Sequence, residues 1–191
     1  MYNLYFDGAC EPVNPGGTAS YGWVILREKK IVEEGSGIVG EGEGMTNNIA
    51  EYTGLIEGVK AFLRRGEKAQ LVIRGDSNLV VSMVAKKWGW NKKKTKWVPH
   101  DDTPHLKVLL DEALSLLEGI DYKIEWVPRE KNQEADRLSK KPLVEKGIVQ
   151  MEHDIRPCKV CGNVLVRRKG KFGEFYGCKN YPKCNFTEKV Q

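Results

Sequence analysis

Up to about residue 40 the apolar residues of this chain follow strand patterning, and from residue 49 they follow helical patterning. YNLYF (2–6), TASYGWVILRE (18–28) and KIVEEGSGIV (30–39) read as three strands, the last two joined through the polar link REKK as a hairpin. From 49 to 64, Tyr52, Leu55, Ile56, Val59, Phe62 and Leu63 recur on one face of a helix, which Gly66 closes. QLVIRG (70–75) is then a fourth strand. A helix between two strands is a crossover and makes the second strand parallel to its neighbour. An antiparallel meander leaves its first strand with a free edge, and the fourth strand can dock there.

The rest of the chain fits this frame. DSNLVVSMVAKKW opens a helix with Asp76 or Ser77 at its cap, Leu106 to Leu117 is an amphipathic helix, YKIEWV (122–127) is a fifth strand, and NQEADRLSKK (132–141) is a short last helix. The class is α/β: a mixed five-stranded sheet with flanking helices in residues 1–142, then a linker or packed tail over 143–156 and a small cysteine module over 157–191.

In open α/β sheets ligands bind beyond the carboxyl ends of strands where the strand order reverses. Asp7 ends strand one and Asp76 follows strand four, so both belong at that point. Glu51 lies in the first turn of the crossover helix and Asp136 in the last helix. Taken singly, each acid has an ordinary reading: a turn for Asp7-Gly8, a capping box with Asn48 for Glu51, a helix cap for Asp76, and a solvated helix position for Asp136. Taken as a set they point to metal. Clustered carboxylates resist ionisation unless cations neutralise them, and Mg²⁺ or Mn²⁺ prefers hard oxygen donors. Two such ions can clamp the attacking and leaving oxygens of a phosphoryl displacement.

YFDGAC…NPGG…YGWV (5–24), TNNIAEYTGLIEGV (46–59), RGDSNLVV (74–81) and WVPREKNQEADRLS (126–139) resemble type 1 ribonuclease H in order and spacing, over residues 1–141. The likeness is to the compact bacterial and archaeal branch. It implies a ribonuclease H-like sheet, with Asp7, Glu51, Asp76 and Asp136 holding two catalytic Mg²⁺ or Mn²⁺ ions. It implies cleavage of the RNA strand of RNA–DNA hybrids, leaving 5′-phosphate and 3′-hydroxyl ends. It also implies substrate contacts: Gly8 and Ala9 to the RNA backbone, Asn47, Asn48 and Asn78 to the minor groove, and Thr46 to a DNA phosphate. Recognition of RNA by shape and 2′-hydroxyl groups is the general rule.

Two departures from that pattern stand out. The loop PREKNQEAD has no histidine where many relatives carry one; Arg129, Glu130 or Lys131 can take part of its place. KKWGWNKKKTKW (86–97) has six Lys, three Trp and no acid, where compact relatives lack a basic protrusion. Its lysines offer salt-sensitive phosphate affinity and its indoles a stacking surface, which makes Lys86, Lys87, Trp88 and Trp90 substrate-contact candidates. The plainer reading is a solvated loop over a buried Trp. Cys10 reads as packing, and His100, His105 and His153 as core or surface residues.

The tail carries C-x₂-C-x₁₆-C-x₅-C through Cys158, Cys161, Cys178 and Cys184. Four thiolates close a tetrahedral zinc site, so the ion is structural; a module this small needs such a staple. NVLVRRKGKFGEFYGC reads as a hairpin turning at 169–173. CxxCG, GKFGEFYGC and YPKC resemble the zinc ribbon of bacterial type I DNA topoisomerases over residues 157–188, which implies single-stranded nucleic-acid binding; protein docking is the rival. Charge agrees with a polyanionic partner. The whole chain has 31 Lys/Arg and 26 Asp/Glu. Residues 158–191 hold eight of those bases and two of those acids, a net +6, which leaves −1 for the first 157. Phe172, Phe175, Tyr176, Tyr181 and Phe186 interleave with the bases, two or three of them as core.

A hybrid-cleaving monomeric endonuclease with an affinity-adding ribbon is the expectation. A catalytically weak protein that binds hybrid or double-stranded RNA is the alternative, and a transposase- or exonuclease-like relative acting on DNA a weaker third. No leader or membrane span is legible, and the clustered, odd-numbered cysteines favour a reducing, cytoplasmic setting.

Overall fold

The computed structural model describes residues 1–149, 156–170, 173–178 and 180–189. The chain divides into two units, Met1–Val149 and Gln150–Gln191. In the first, strands β1 (Tyr2–Glu11), β2 (Thr18–Arg27) and β3 (Lys30–Glu41) precede helix α1 (Asn47–Arg64), strand β4 (Leu71–Gly75), helices α2 (Asn78–Val84) and α3 (Pro104–Leu117), strand β5 (Tyr122–Trp126) and helix α4 (Gln133–Glu145). The sheet order is β3-β2-β1-β4-β5, with β1, β2 and β3 antiparallel and β1, β4 and β5 parallel. The fourth strand therefore docks on the free edge of the first.

Alternation along β1 sets the two faces. Tyr2, Leu4 and Phe6 are fully buried and join Ile25, Leu71, Ile73, the α1 residues Tyr52, Leu55, Ile56, Val59 and Phe62, and apolar residues of α2 and α3 in one core. Each such side chain contributes about 1.5–3 kcal/mol on burial. Leu63, expected on the buried face of α1, is 42% exposed instead; it lies in the last turn, where the helix outruns the sheet. The other parity of β1 carries Asp7, which looks toward α4 through a hydrogen bond from the Ser139 hydroxyl.

Glycines let both helices approach the sheet closely. A Cβ on Gly8 would lie 2.3 Å from the Glu51 nitrogen, and one on Gly22, paired with Asp7, would lie 2.3 Å from the Ser139 nitrogen. On α1 itself, Gly54 faces the Asp7 carbonyl and Gly58 faces Leu4. Glycine inside a helix costs about 1 kcal/mol relative to Ala. Here two of them, four residues apart, seat α1 directly on β1.

Three elements differ from their sequence reading. β1 runs past Asp7 to Glu11, held by its pairing with β2, so Asp7 lies within the strand and not at its end. α1 is capped by Thr46, whose Oγ1 accepts from the Ile49 N–H, so Asn48 and Glu51 form no capping box. α4 runs through Pro142 to Glu145, so residues 143–145, expected in the linker, are helical. Pro142 and Leu143 are buried, and that packing outweighs the lost N–H of Pro142.

The second unit is a four-stranded antiparallel sheet of β6 (Arg156–Pro157), β7 (Val164–Gly170), β8 (Gly173–Cys178) and β9 (Thr187–Lys189), in that order. β7 and β8 form the expected hairpin, with Gly170 paired to Gly173.

Candidate active site

Register brings the acids together. Tyr5 of β1 is level with Arg74 of β4, so Asp7 and Asp76, each two residues further along, emerge side by side. Glu51 arrives from the first turns of α1. The carboxylate oxygens of Asp7, Glu51 and Asp76 lie within 4.8 Å of one another. Ser77, not Asp76, caps α2, which leaves Asp76 to the cluster.

Its electrostatics are unfavourable without a cation. Burial, with Asp76 and Asp136 nearby, pushes the Asp7 carboxyl from 3.8 up to about 7, although the Ser139 hydrogen bond pulls the other way. Burial, then Asp7 and Asp76, push Glu51 well above the usual carboxylate range, against hydrogen bonds from Gly8 and Asn47. Glu51 Oε2 is buried with no hydrogen-bond partner. A hard-oxygen cluster with an orphaned acceptor suits a divalent cation.

Asp136 is not part of that three-acid group. Its carboxylate is paired with the Arg129 guanidinium and, at 2.7 Å, with the Lys140 ammonium. Asp136 stands one helical turn before Ser139, and the Ser139 hydroxyl also lies 2.9 Å from the Asp136 carbonyl. The Ser139 carbonyl in turn accepts from Ser20 Oγ at 2.6 Å. The chain Ser20–Ser139–Asp7 is buried throughout and links β2, α4 and β1.

The sequence assigns no role to three contributors: Ser20, and Asn132 and Ser139, which lie inside the 126–139 motif. Asn132 is 1% exposed and precedes α4. An Asn at that place signals a helix cap, yet its side chain makes no cap bond; it reaches Asp76 instead.

Of the substrate-contact candidates, Gly8 has its side-chain space filled by Ala50 and Glu51. Ala9 is buried. Asn47 donates weakly to Glu51 Oε1 at 3.5 Å, and its N–H binds Asn14 Oδ1. Asn48 is half-buried, and Asn78 is exposed and accepts from Ser82 Oγ.

The basic stretch is folded. Trp90 and Trp97 form a bridge, Asn91 Oδ1 accepts from the Thr95 N–H, and Trp97 Nε1 donates to the Trp88 carbonyl. Trp97 packs on the core beneath Lys86, whose ammonium stands 5.3 Å from its ring. Lys86 and Lys87 are exposed, and Trp88 and Trp90 are nearly half so. His100 is a core residue, bonded to the Tyr52 hydroxyl at 2.7 Å, and Cys10 is packed beside Ala19 and Ala50. His153 lies outside the described residues.

In the second unit, Cys158, Cys161, Cys178 and Cys184 converge, with Sγ–Sγ separations of 3.8 Å (Cys158–Cys184) and 3.5 Å (Cys161–Cys178). Tetrahedral zinc with bonds of about 2.3 Å sets its sulfurs about 3.8 Å apart, so the set fits that ion. The Asn180 N–H donates to the Cys178 sulfur. Tyr176 is buried with Leu165, Phe186 packs on them, and Tyr181 is 64% exposed. Phe172 lies outside the described residues.

Comparison with known proteins agrees with both units. Residues 5–142 match the reverse transcriptase-like family, and residues 155–191 match the topoisomerase DNA binding C4 zinc finger. The chain is 36% identical to the ribonuclease HI of Halobacterium salinarum over 74% of its length and 63% of that protein's. It is 32% identical to the ribonuclease H of a Thermoanaerobacter species, over 73% of this chain and 87% of the relative. The tail is 48% identical to DNA topoisomerase 1 of Methanocaldococcus jannaschii over 22% of this chain and 6% of that protein. The chain thus spans less than two thirds of several of its curated relatives. Among solved structures, RNase H1 of H. salinarum superposes with a TM-score of 0.61 at 33% identity, over 75% of this chain and 98% of that one. LC11-RNase H1, solved in complex with an RNA/DNA hybrid, gives 0.64 at 26% identity, over 76% and 99%.

Proposed function

Since this chain belongs to the ribonuclease H family, we propose that it hydrolyses the RNA strand of RNA–DNA hybrids with divalent cations held by Asp7, Glu51, Asp76 and Asp136. The observation that carries this reading is the close grouping of buried Asp7 and Glu51 with half-buried Asp76 around an unpartnered Glu51 oxygen. The hybrid complex of LC11-RNase H1 supports the choice of substrate.

A pair of Mg²⁺ or Mn²⁺ ions, when bound, supplies an activated water and neutralises charge on the leaving oxygen. The chain's own residues do the rest. Asp7, Glu51 and Asp76 provide hard oxygens on rigid elements. Asp136 enters from α4 with Arg129 and Lys140 beside it, and Arg129, Glu130 or Lys131 takes part of the place of the histidine that many relatives carry in this loop. The exposed Lys86 and Lys87 contact phosphates, Trp88 and Trp90 line the strand, and Thr46, Asn47, Asn48 and Asn78 meet the hybrid where α1 and α2 begin. The zinc ribbon, held by its four cysteines, adds nucleic-acid affinity by raising the effective concentration of a second site.

The test compares wild type with Asp76→Asn on an end-labelled RNA–DNA hybrid, in Mg²⁺ and in Mn²⁺. Cleavage of the RNA by wild type alone supports the proposal. Binding of the hybrid by both proteins with cleavage by neither would make this a hybrid-binding protein.

A further inference from the structure

Asn132 lies at the centre of the acid-bearing elements and carries no charge. Its Nδ2 donates to the Phe6 carbonyl at 2.9 Å, one residue before Asp7, and to Asp76 Oδ1 at 2.8 Å. Its main-chain carbonyl accepts from the Asp136 N–H at 3.0 Å. One buried residue thus ties the middle of β1, the Asp76 carboxylate and the first turn of α4.

The orientation of the amide follows from chemistry. Both of its partners can only accept, so the nitrogen must face them. Asn132 Oδ1 is then buried with no hydrogen-bond partner. A lone buried acceptor is destabilising, and an apolar residue here would avoid that cost. What no apolar residue can do is donate two hydrogen bonds from one rigid group.

Among the described residues, Asn132 is the side chain that donates a hydrogen bond to the Asp76 carboxylate. Asp7 and Glu51 push that carboxylate away, since all three are acids within 4.8 Å. Trp126 Nε1 holds the backbone of Asp76 through its carbonyl, at 3.0 Å, but leaves the side chain free to turn.

We infer that Asn132 is a positioning residue, which holds the Asp76 carboxylate against β1 so that it faces Asp7 and Glu51. The inference rests on the metal-binding reading above. It requires that losing Asn132 act through Asp76 and not through the fold at large.

The experiment is a double-mutant cycle read by Mn²⁺ titration calorimetry on the full chain, without nucleic acid. Asn132→Ala weakens Mn²⁺ binding by about tenfold or more. In an Asp76→Asn background the same change has no further effect, because the group it positions is gone. Cleavage at saturating Mg²⁺ falls on the order of 100-fold, the effect of misplacing a reactive group by about 1 Å. Hybrid affinity without added Mg²⁺ stays within about twofold. Asn132→Asp, which matches the shape but cannot donate when ionised, reproduces the loss.

Unchanged Mn²⁺ affinity in Asn132→Ala would overturn the inference, as would losses that add in the double variant. A wild-type chain that neither binds Mn²⁺ nor cuts the hybrid would overturn the proposed function instead.

Discussion

The backbone nitrogen of Glu51 occupies the space a side chain on Gly8 would need: a Cβ there would lie 2.3 Å away. Asp7-Gly8, inside β1, is therefore more than a place where a ligand can come near. The glycine admits α1, and α1 brings Glu51 to Asp7. Gly8→Ala forces α1 away from β1. The expected loss is about 1–3 kcal/mol or more of stability, as for other overpacked cores, with cleavage lost beyond what the unfolded fraction explains. Urea unfolding and hybrid cleavage on the same preparation check this. An alanine variant with wild-type stability would show that α1 can give way.

The Ser139 hydroxyl, more than the Arg129 guanidinium, eases the Asp7 charge. Ser139→Ala removes a donor from the ionised form, so the Asp7 carboxyl titrates at a still higher pH than about 7. The acidic limb of the pH–rate profile at fixed, subsaturating Mg²⁺ moves to higher pH. Stability at pH 8 falls by about 1–3 kcal/mol, the cost of a buried acceptor left unmade. At pH 5, where Asp7 is protonated, the loss is smaller. An unmoved profile would mean that Ser139 only braces α4.

Asp7 also sets a sign for stability without Mg²⁺. The folded protein holds the Asp7 proton up to about pH 7, while an unfolded chain releases it near 3.8. Between those values the folded state binds more protons, so stability falls as pH rises from about 4 to 7 and stays low above that. The ceiling on this contribution is about 4 kcal/mol, at 1.36 kcal/mol per unit. Asp7→Asn flattens the dependence. It is more stable than wild type at pH 8 without Mg²⁺, gains little from added Mg²⁺, and does not cleave. Melting temperatures at pH 5 and 8, with and without Mg²⁺, decide the matter.

These effects show which parts of the site are legible in a sequence. Strand alternation, the helical spacing of Tyr52 to Phe62 and the place of Asp7 after an apolar run are local patterns, and they led to the sheet order and the acids, although β1 runs on to Glu11 and Asp7 lies within it. Asn132 and Ser139 act across 126 and 132 residues, and no periodicity marks such pairs. Asn132 also sits where asparagine usually caps a helix, so its type had a sufficient local explanation. Gly54 and Gly58 each cost the helix stability, and only Asp7 and Leu4 placed against them show what they admit. Pro142 reads as a stop, and only the burial of Leu143 beyond it shows why α4 continues. The four cysteines were legible because metal geometry leaves its spacing in the sequence.

The ribbon offers the last prediction. Its net +6 is reduced to about +4 by four thiolates around Zn²⁺. If it grips nucleic acid, its loss weakens binding without touching chemistry. Cys158→Ser with Cys178→Ser removes two zinc ligands from different segments, so the second unit loses its staple while Asp7, Glu51 and Asp76 are unchanged. Cleavage at saturating hybrid stays within about threefold of wild type, and KM rises. The slope of log affinity against log salt becomes shallower by about two to four, at roughly 0.9 per phosphate contact. Exposed Tyr181 adds a stacking face that salt does not screen, so Tyr181→Ala weakens binding without changing the slope. Unaltered KM and slope in the cysteine variant would remove nucleic acid as the ribbon's partner and leave protein docking as its role.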